Sequence, residues 1–189
     1  MNRVLKRCGW SEGDPLYEAY HDKEWGVPVK EDSILFEFLI LETFQAGLSW
    51  ITILKKRENF RTAFDRFDYH KIARYEDEKI KELLQNAGIV RNKLKIRATI
   101  SNAQAFLKVQ EEFGSFSNYI WGFVNNNPVK NAISNYKEGP SKTILSDTVS
   151  KDLKKRGFKF VGSTVIYAYM QATGMVNDHE TSCFRYEEV

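Results

Sequence analysis

Cysteine and proline are both scarce in this chain, which contains two cysteines and four prolines among its 189 residues. Two cysteines cannot build the dense disulfide framework of a small secreted domain, and so few of them favour a reducing compartment. The first ten residues also lack the long apolar stretch of a signal peptide. These absences lead us to expect a cytoplasmic protein.

Long hydrophobic runs are equally lacking. The longest run without a charged residue covers residues 160–177, just reaching the length at which a membrane span is considered. Its glycine, serine, threonine and amide side chains make it too polar for a span, so we interpret it as a buried helix and expect no membrane association. Alternating strand patterns are also nearly absent, and the predicted fold class is therefore all-α.

Aromatic residues, by contrast, make up 14% of the chain, and three of its four tryptophans lie within the first 50 residues. Hydrophobic residues account for 42% and charged residues for 28%, which is typical of a soluble globular protein that buries a core. The length predicts a single domain over residues 1–189, and a monomer is the default expectation. The net charge of +3 permits nucleic-acid binding without requiring it.

Helical periodicity extends through nearly the whole chain. Asp32 or Ser33 is expected to cap a helix that Gly47 interrupts, and Ser49 is expected to cap a second one. Stop signals at Gly114, Gly157 and Gly174 and caps at Ser146 and Ser163 delimit later helices. The further predicted helices cover residues 59–67, 76–85, 89–113, 116–124, 147–156 and 164–173, with a long loop over 125–145.

Both cysteines and two of the three histidines lie near the ends of the chain. Cys8 and His21 are close to the N-terminus, and His179 and Cys183 form an H-x3-C pair near the C-terminus. Two thiolates and two imidazoles are a ligand set that binds Zn²⁺ tetrahedrally. Such a site would be structural, because four protein ligands leave no position for water.

This zinc site would join the N-terminal segment, residues 1–30, to the C-terminal segment, residues 160–189. Two other interpretations remain open from the spacing alone. The four residues could be unrelated surface or core side chains, or the two cysteines could form one long-range disulfide.

Glu42 stands within an otherwise apolar run, and several aromatic residues flank it in the sequence: Tyr17, Tyr20 and Trp25 before it and Trp50 after it. A carboxylate on an apolar helix face is costly to bury unless it is paired or functional. One interpretation is a glutamate at a helix end that points to solvent, with the aromatic residues in the core. The other is a pocket with aromatic walls and one anionic acceptor, which suits a flat, positively charged ligand such as an alkylated purine.

Residues 83–93 indicate a helix, a tight turn and a second helix, which makes this segment a helix-hairpin-helix candidate. Gly88 is expected to take the left-handed conformation in the turn, and the N–H groups at the start of the next helix can hold a phosphate. Arg91 and Lys93 add positive charge beside the turn. Basic runs are usually solvated helix faces, but together these features favour DNA binding.

Long motifs along the chain resemble a known family. They are RCGW (7–10), DPLYEAYHDKEWGVP (14–28), QAGLSWITILKKRENFR (45–61), NAGIVRNKLKI (86–96), LKKRGFKFVG (153–162) and NDH-x3-C (177–183). In these segments the chain closely resembles the bacterial 3-methyladenine DNA glycosylase I family. The match covers essentially the whole chain, is weakest over residues 125–145, and shows Phe44 where the family usually has glutamine.

The resemblance implies a helix-hairpin-helix superfamily fold and a role in DNA base-excision repair, the removal of 3-methyladenine from alkylated double-stranded DNA. The implied ligands of a structural zinc ion are Cys8, His21, His179 and Cys183. The implied base pocket consists of Glu42, Tyr17, Tyr20 and Trp50, with Trp10 and Trp25 nearby. The residues expected to contact DNA are Gly47, Leu48, Gly88, Arg91 and Lys93.

A glycosylase must flip the target nucleotide out of the stack, and Leu48 is our candidate for the wedge that fills the gap. Many related enzymes carry an Asp beyond the hairpin, but none occurs between Gly88 and Phe113, and the hairpin residues 86–90 contain no lysine nucleophile. We therefore expect a monofunctional enzyme in which Glu42 reads the purine edge. Little acid catalysis is needed, because N3-methylated adenine is cationic in DNA and leaves as a neutral base.

Two competing functions are considered. A zinc-joined module could recognise alkylated DNA without releasing a base. A zinc hydrolase would need an open coordination position, which a site with four protein ligands lacks.

Overall fold

The structure is a computed structural model that describes residues 5–189, and over these residues it is mostly helical, as the periodicity predicts. The helices are α1 Pro15–Lys23, α2 Asp32–Gln45, α3 Trp50–Ala63, α4 Tyr69–Ile72, α5 Asp77–Gln85, α6 Lys93–Phe113, α7 Phe116–Gly122, α8 Ile144–Lys155 and α9 Ser163–Ala172. Two short strands, β1 Val129–Lys130 and β2 Val176–Asn177, pair in parallel, with Val129 opposite Val176. Within the described range, no helix is long and apolar enough to cross a membrane.

Helix α2 lies at the centre of the fold. Every residue from Leu35 to Phe44 is buried, because α3, α6, α7 and α9 all contact this helix. A helix that is apolar on all sides is typical of such a position. Two acidic side chains, Glu37 and Glu42, are carried into this interior.

The cap predicted for α2 is wrong. The helix begins at Asp32, with Glu31 in the N-cap position, and Ser33 lies inside its first turn. The Asp32 carboxylate instead accepts hydrogen bonds from the backbone N–H groups of Phe116 (2.8 Å) and Ser117 (2.7 Å) at the start of α7. These N–H groups have no partner within their own helix, so Asp32 satisfies them and connects two helices distant in sequence.

The sequence predicts a separate helix over residues 59–67, and this prediction is wrong. Helix α3 starts after Ser49, as expected, and continues through Ala63. The next turn then contains a run of residues, 65–67, with φ between 50° and 58°. A left-handed backbone cannot continue a right-handed helix, so the chain changes direction here.

The predictions for residues 125–146 need correction in two places. Helix α8 begins at Ile144 rather than after Ser146, because Thr143 and Ser146 exchange hydrogen bonds in a capping box. The preceding segment is not simply a loop, since it contains β1 and a turn of 3₁₀ helix at Tyr136–Glu138. Pairing of β1 with β2 brings residues 131–140 against the C-terminal segment.

Other helix ends differ less from expectation. Ser163 is the first residue of α9 rather than its cap, and α7 ends two residues before the predicted limit. The predicted stops at Gly114, Gly157 and Gly174 are confirmed, because each has a positive φ at or just beyond the end of its helix.

Candidate active site

A cavity of about 220 Å³ opens between the N-terminal segment, α2, α3, α9 and the loop that follows β1. The aromatic residues expected to surround Glu42 come together in its walls. They are Trp10, Tyr17, Tyr20, Trp25 and Trp50.

The aromatic rings form two connected groups. Trp10 makes edge contacts with Tyr17, at 4.8 Å between ring centroids, and with Trp25, at 5.0 Å. Tyr20 packs against Trp50 at 5.4 Å. Edge-to-face packing fixes the rings without stacking them on one another. Together these rings line the cavity of about 220 Å³.

Glu42 lies at the deep end of this cavity and is 3% exposed. Its Oε2 atom is fully buried and has no hydrogen-bond partner among the described residues. Burial raises the pKa of this carboxyl group to about 8, because desolvation disfavours its charged form. A buried, unpaired carboxyl group that lines a cavity is a candidate for ligand recognition.

Glu37 is a second buried acidic residue on α2, and it is paired with cations. It lies five residues earlier on α2 and accepts hydrogen bonds from Arg57 Nε at 2.6 Å and from Arg61 Nη2 at 2.8 Å. These ion pairs compensate the cost of burying its charge. No cation among residues 5–189 forms an ion pair with Glu42, so its burial has no comparable structural explanation there.

The indole N–H of Trp50 is a second unpaired polar group in the cavity wall. Its Nε1 atom is buried and has no acceptor within the described part of the chain. Unpaired buried donors cost free energy, and their accumulation in one cavity indicates groups reserved for a ligand. Glu42 and Trp50 thus each bring one unpaired polar group to the residues that line the cavity.

Several residues that complete the cavity are not predicted by the sequence pattern. Tyr136, Gly139 and Pro140 come from the segment predicted as a loop, and Gln171 and Asp178 come from α9 and the segment after β2. The β1–β2 pairing brings the first group to the site. A two-residue strand has no periodicity to detect, but the acidic residue in the NDH-x3-C motif was a usable signal for Asp178.

The turn after α2 presents Leu48 to solvent, with 41% of the residue exposed. Gly47 precedes it with φ of 84°, a conformation that a residue with a Cβ rarely adopts. Lys95, buried in the first turn of α6, donates hydrogen bonds to the carbonyl oxygens of Phe44 (2.9 Å) and Ala46 (2.6 Å). This ammonium group holds the end of α2 and therefore the base of the Leu48 turn.

The hairpin between α5 and α6 spans residues 86–92, and the second helix starts at Lys93, four residues later than predicted. Gly88 does not have the expected left-handed conformation. It is close to its neighbours instead: a Cβ at Gly88 would lie 3.0 Å from Asn86 Oδ1 and 3.1 Å from Asn59 Cβ. The space for a side chain at this position is therefore limited by close packing rather than by the backbone angles.

The surface of the hairpin carries free donors and positive charge. The backbone N–H groups of Val90, Arg91 and Lys93 have no acceptor within residues 5–189. Arg91 and Lys93 are themselves exposed. Asn92 caps the helix by accepting hydrogen bonds from the N–H groups of Leu94 and Lys95. This surface is suited to binding a phosphate group.

Three of the four predicted metal ligands form a tight cluster. The Sγ atoms of Cys8 and Cys183 and a ring nitrogen of His21 lie within 4.8 Å of one another, and all three residues are buried. The cysteines are free thiols rather than a disulfide. The Asp22 carboxylate lies 2.8 Å from His21 Nδ1, which directs Nε2 towards the thiols and resembles the carboxylate–histidine pairs around protein-bound zinc.

His179 lies beside this cluster rather than within it. Its ring centroid is 5.1 Å from that of His21, its Nδ1 atom is 3.0 Å from Asn177 Oδ1, and its buried Nε2 atom has no partner in the described structure. Burial lowers the pKa of His179 to about 3, which keeps its imidazole neutral. A neutral imidazole with a free nitrogen is the form that ligates metals.

The pKa values of the two neighbouring thiols are shifted in opposite directions. A hydrogen bond from Cys8 lowers the pKa of the Cys183 thiol to about 5, while the same interaction, together with burial, raises the pKa of Cys8. Backbone N–H groups also point at both sulfur atoms, from Glu180 at 3.2 Å and from Arg185 at 3.4 Å. The donor set and its surroundings fit a zinc ion, since thiolate and neutral imidazole are its preferred ligands.

Comparison with known proteins places this site in context. A family model described as methyladenine glycosylase matches residues 10–186. The chain is 50% identical to DNA-3-methyladenine glycosylase 1 of Escherichia coli (strain K12) over 182 residues, covering 96% of this chain and 97% of that protein. It is 46% identical to the DNA-3-methyladenine glycosylase of Haemophilus influenzae, covering 95% and 97%.

Solved structures show the same relationship. The fold is similar to a crystal structure of 3-methyladenine DNA glycosylase I, with a TM-score of 0.91, 52% identity and coverage of 95% of this chain and 98% of that one. It is also similar to the Staphylococcus aureus enzyme in a structure that concerns 3-methyladenine recognition, with a TM-score of 0.92, 35% identity and coverage of 96% and 97%. The chain belongs to the methyladenine glycosylase family.

Proposed function

We propose that this chain is a DNA glycosylase that removes 3-methyladenine from alkylated double-stranded DNA in base-excision repair. The observation that carries the proposal is the buried, unpaired carboxyl group of Glu42 inside an aromatic cavity. Its relatives are named for this activity. A module that only recognises alkylated DNA is the alternative, and no feature of the cavity favours it over catalysis.

The cavity suits the charge of the substrate base. Aromatic surfaces attract cations, and 3-methyladenine is cationic while it is attached to the sugar. In the free protein the Glu42 carboxyl group is mostly protonated at neutral pH, since its pKa is about 8. A cationic base beside Glu42 would favour the carboxylate, so base binding would be coupled to the release of a proton.

The reaction needs water and no covalent intermediate. Water adds to C1′ of the sugar, the C1′–N9 bond breaks with its electron pair moving to the base, and one proton is released to solvent. We propose a monofunctional enzyme, because hairpin residues 86–90 contain no lysine and the ammonium group of Lys95 is bonded to backbone carbonyls. Glu42 then contacts the purine edge and compensates its charge rather than forming a bond to the sugar.

The DNA-binding surface would combine two turns. We propose that residues 83–93 act as a helix-hairpin-helix element that binds a backbone phosphate with the N–H groups of the hairpin. Arg91 and Lys93 would add sequence-independent attraction. Leu48, exposed on the turn that Gly47 permits, would enter the space left by the flipped nucleotide. A helix-hairpin-helix superfamily fold is part of the same proposal.

We further propose that Cys8, His21, His179 and Cys183 hold one structural zinc ion. The close grouping of three ligands and the unpaired Nε2 atom of His179 support this. The ion would fix the N-terminal segment, with Trp10, against the segment that carries Asp178. A single domain over residues 1–189 that acts as a cytoplasmic monomer completes the proposal; residues 1–4 lie outside the described residues.

Base release from methylated duplex DNA tests the proposal directly. Chromatography should show free 3-methyladenine from the wild type and much less from Glu42→Gln. Glu78→Gln, which changes an exposed glutamate on α5, is the matched control and should behave as the wild type. Binding of the methylated duplex without release would contradict catalysis and establish the recognition module.

A further inference from the structure

The cavity contains a second carboxyl group, which has no part in the role proposed for Glu42. Asp178 is 4% exposed and lines the cavity together with Gln171. Its carboxylate accepts hydrogen bonds from Tyr167 Oη at 2.6 Å, Gln171 Nε2 at 2.8 Å and Asn131 Nδ2 at 2.7 Å. Two residues of α9, Tyr167 and Gln171, and one residue after β1, Asn131, therefore fix this one side chain.

This network determines which end of the Gln171 amide faces the cavity. The NH₂ group must point to Asp178, because an amide oxygen in that position would repel the carboxylate. The Gln171 Oε1 atom is therefore the free end, and it has no donor partner in the described part of the structure. Donation to a carboxylate also polarises the amide, which makes its oxygen a stronger acceptor.

Burial separates the cavity into a deep end and a mouth. Glu42, Tyr20 and Trp50 are buried, whereas Gln171 is only partly buried and Tyr136 is exposed. A base that reaches Glu42 leaves its sugar closer to the mouth. The acceptor on Gln171 is then placed on the side of the cavity where the glycosidic bond must break.

We infer that Gln171 orients the water that attacks C1′, and that Asp178 is a positioning residue that fixes the Gln171 amide. The inference rests on the proposed glycosylase function. Gln171 Oε1 would accept a hydrogen bond from the water and direct a lone pair of the water oxygen at C1′. The glutamine takes up no proton; the proton passes to solvent at the mouth, and the electron pair of the broken bond neutralises the departing base.

The first test compares the rate of base release with the affinity for the free base. Gln171→Met keeps the length of the side chain but removes the amide, and Gln104→Leu on α6 is the control for an amide outside the cavity. We expect Gln171→Met to lower the single-turnover rate of base release from methylated duplex DNA at least tenfold. Its affinity for free 3-methyladenine, measured by tryptophan fluorescence, should stay within about twofold of the wild type.

A second readout separates water positioning from a structural defect. In water–methanol mixtures the sugar can be captured by either nucleophile. Gln171→Met and Asp178→Asn should both raise the proportion of the methyl glycoside at C1′, because neither retains a fixed acceptor for water. Gln104→Leu should keep the wild-type proportion.

Particular outcomes would overturn the inference. An unchanged rate in Gln171→Met would do so, as would a loss of 3-methyladenine affinity parallel to the loss of rate, which would assign Gln171 to base binding. An unchanged methanol proportion in both variants would do so as well. The proposed function fails separately, if the wild type releases no base.

Discussion

The ammonium group of Lys95 lies 2.6 Å from the carbonyl oxygen of Ala46, so the first turn of α6 is bonded to the chain just beyond α2. Two proposed DNA contacts, the hairpin and the Leu48 turn, are thereby connected through one side chain. A cation at a helix C-terminus is favourable because it interacts with unpaired carbonyl groups and with the helix dipole.

We expect Lys95→Met to lower the free energy of unfolding by about 1–2 kcal/mol, since hydrogen bonds from a charged group are lost while its burial cost is removed. The base-release rate should fall more than affinity for undamaged DNA, because the Leu48 turn loses its support. Lys108→Met changes an exposed lysine on the same helix and serves as the control. A wild-type rate in Lys95→Met would show that the bond has no role in positioning the turn.

Glu42 should make the protein less stable as the pH rises. Its pKa is about 8 in the folded protein and 4.5 in an unfolded chain, so the folded state holds the proton more tightly between these values. Stability is then lost progressively from about pH 4.5 to pH 8. Glu42→Gln removes this loss, and we expect its free energy of unfolding, relative to the wild type, to be about 4 kcal/mol higher at pH 9 than at pH 5. Urea unfolding at both pH values measures the difference, which should be absent if Glu42 is ionised in the folded protein at pH 5.

Binding of a cationic base should depend on pH through the same group. A permanently charged analogue, 3,9-dimethyladenine, favours ionised Glu42, so its affinity should rise by up to tenfold per pH unit towards pH 8 and level off above it. Glu42→Gln should show a flat profile. Fluorescence titration between pH 6 and pH 9 gives both curves, and parallel slopes in the two proteins would place the titrating group elsewhere.

Leu48→Ala should impair flipping without affecting the fold, because the side chain is exposed. We expect weaker DNA bending and a smaller 2-aminopurine signal beside a lesion analogue, with a base-release rate about tenfold lower. Ile144→Ala removes an even more exposed apolar side chain, at the start of α8, and should leave these signals unchanged. Normal bending by Leu48→Ala would contradict the wedge assignment.

Zinc removal should destabilise the protein rather than affect the chemistry directly. We expect about one zinc ion per chain by metal analysis, and a chelator should lower the melting temperature. Cys183→Ser should reduce metal content and abolish the response to the chelator, while Ser182→Ala, at the exposed neighbouring position, should retain both. If the protein contains no metal and the chelator leaves its melting temperature unchanged, the proposal that these four side chains bind a structural zinc ion is wrong.

The helices were largely predictable because apolar periodicity and glycine stops act locally. Gly114, Gly157 and Gly174 all stand at the ends of helices, as expected. The error at α8 was local, because Thr143 rather than Ser146 is the N-cap residue of that helix. The error at α2 arose where a side chain bonds outside its own helix, because Asp32 caps α7 rather than α2. Such tertiary bonds depend on which elements meet, which the local pattern does not contain.

The candidate site was predictable only in part, for the same reason. Glu42 could be singled out because a carboxylate in an apolar run is unusual. Tyr136 could not, because it reaches the cavity through a two-residue strand pairing, Val129 with Val176, that leaves no periodicity. Gln171 gave no signal either, since its orientation depends on a carboxylate that lies beyond the end of its helix.

Because β2, Asp178 and Cys183 all follow the last helix, the order of synthesis determines when the cavity can form. Helices α1 to α8 are already synthesised while Gln171, Asp178 and the C-terminal cysteine are still untranslated. A chain that ends early therefore lacks one cavity wall and part of the thiol–imidazole cluster, even with the central helix α2 complete. Incomplete translation would therefore yield a chain whose cavity is open on the side that Gln171 and Asp178 line.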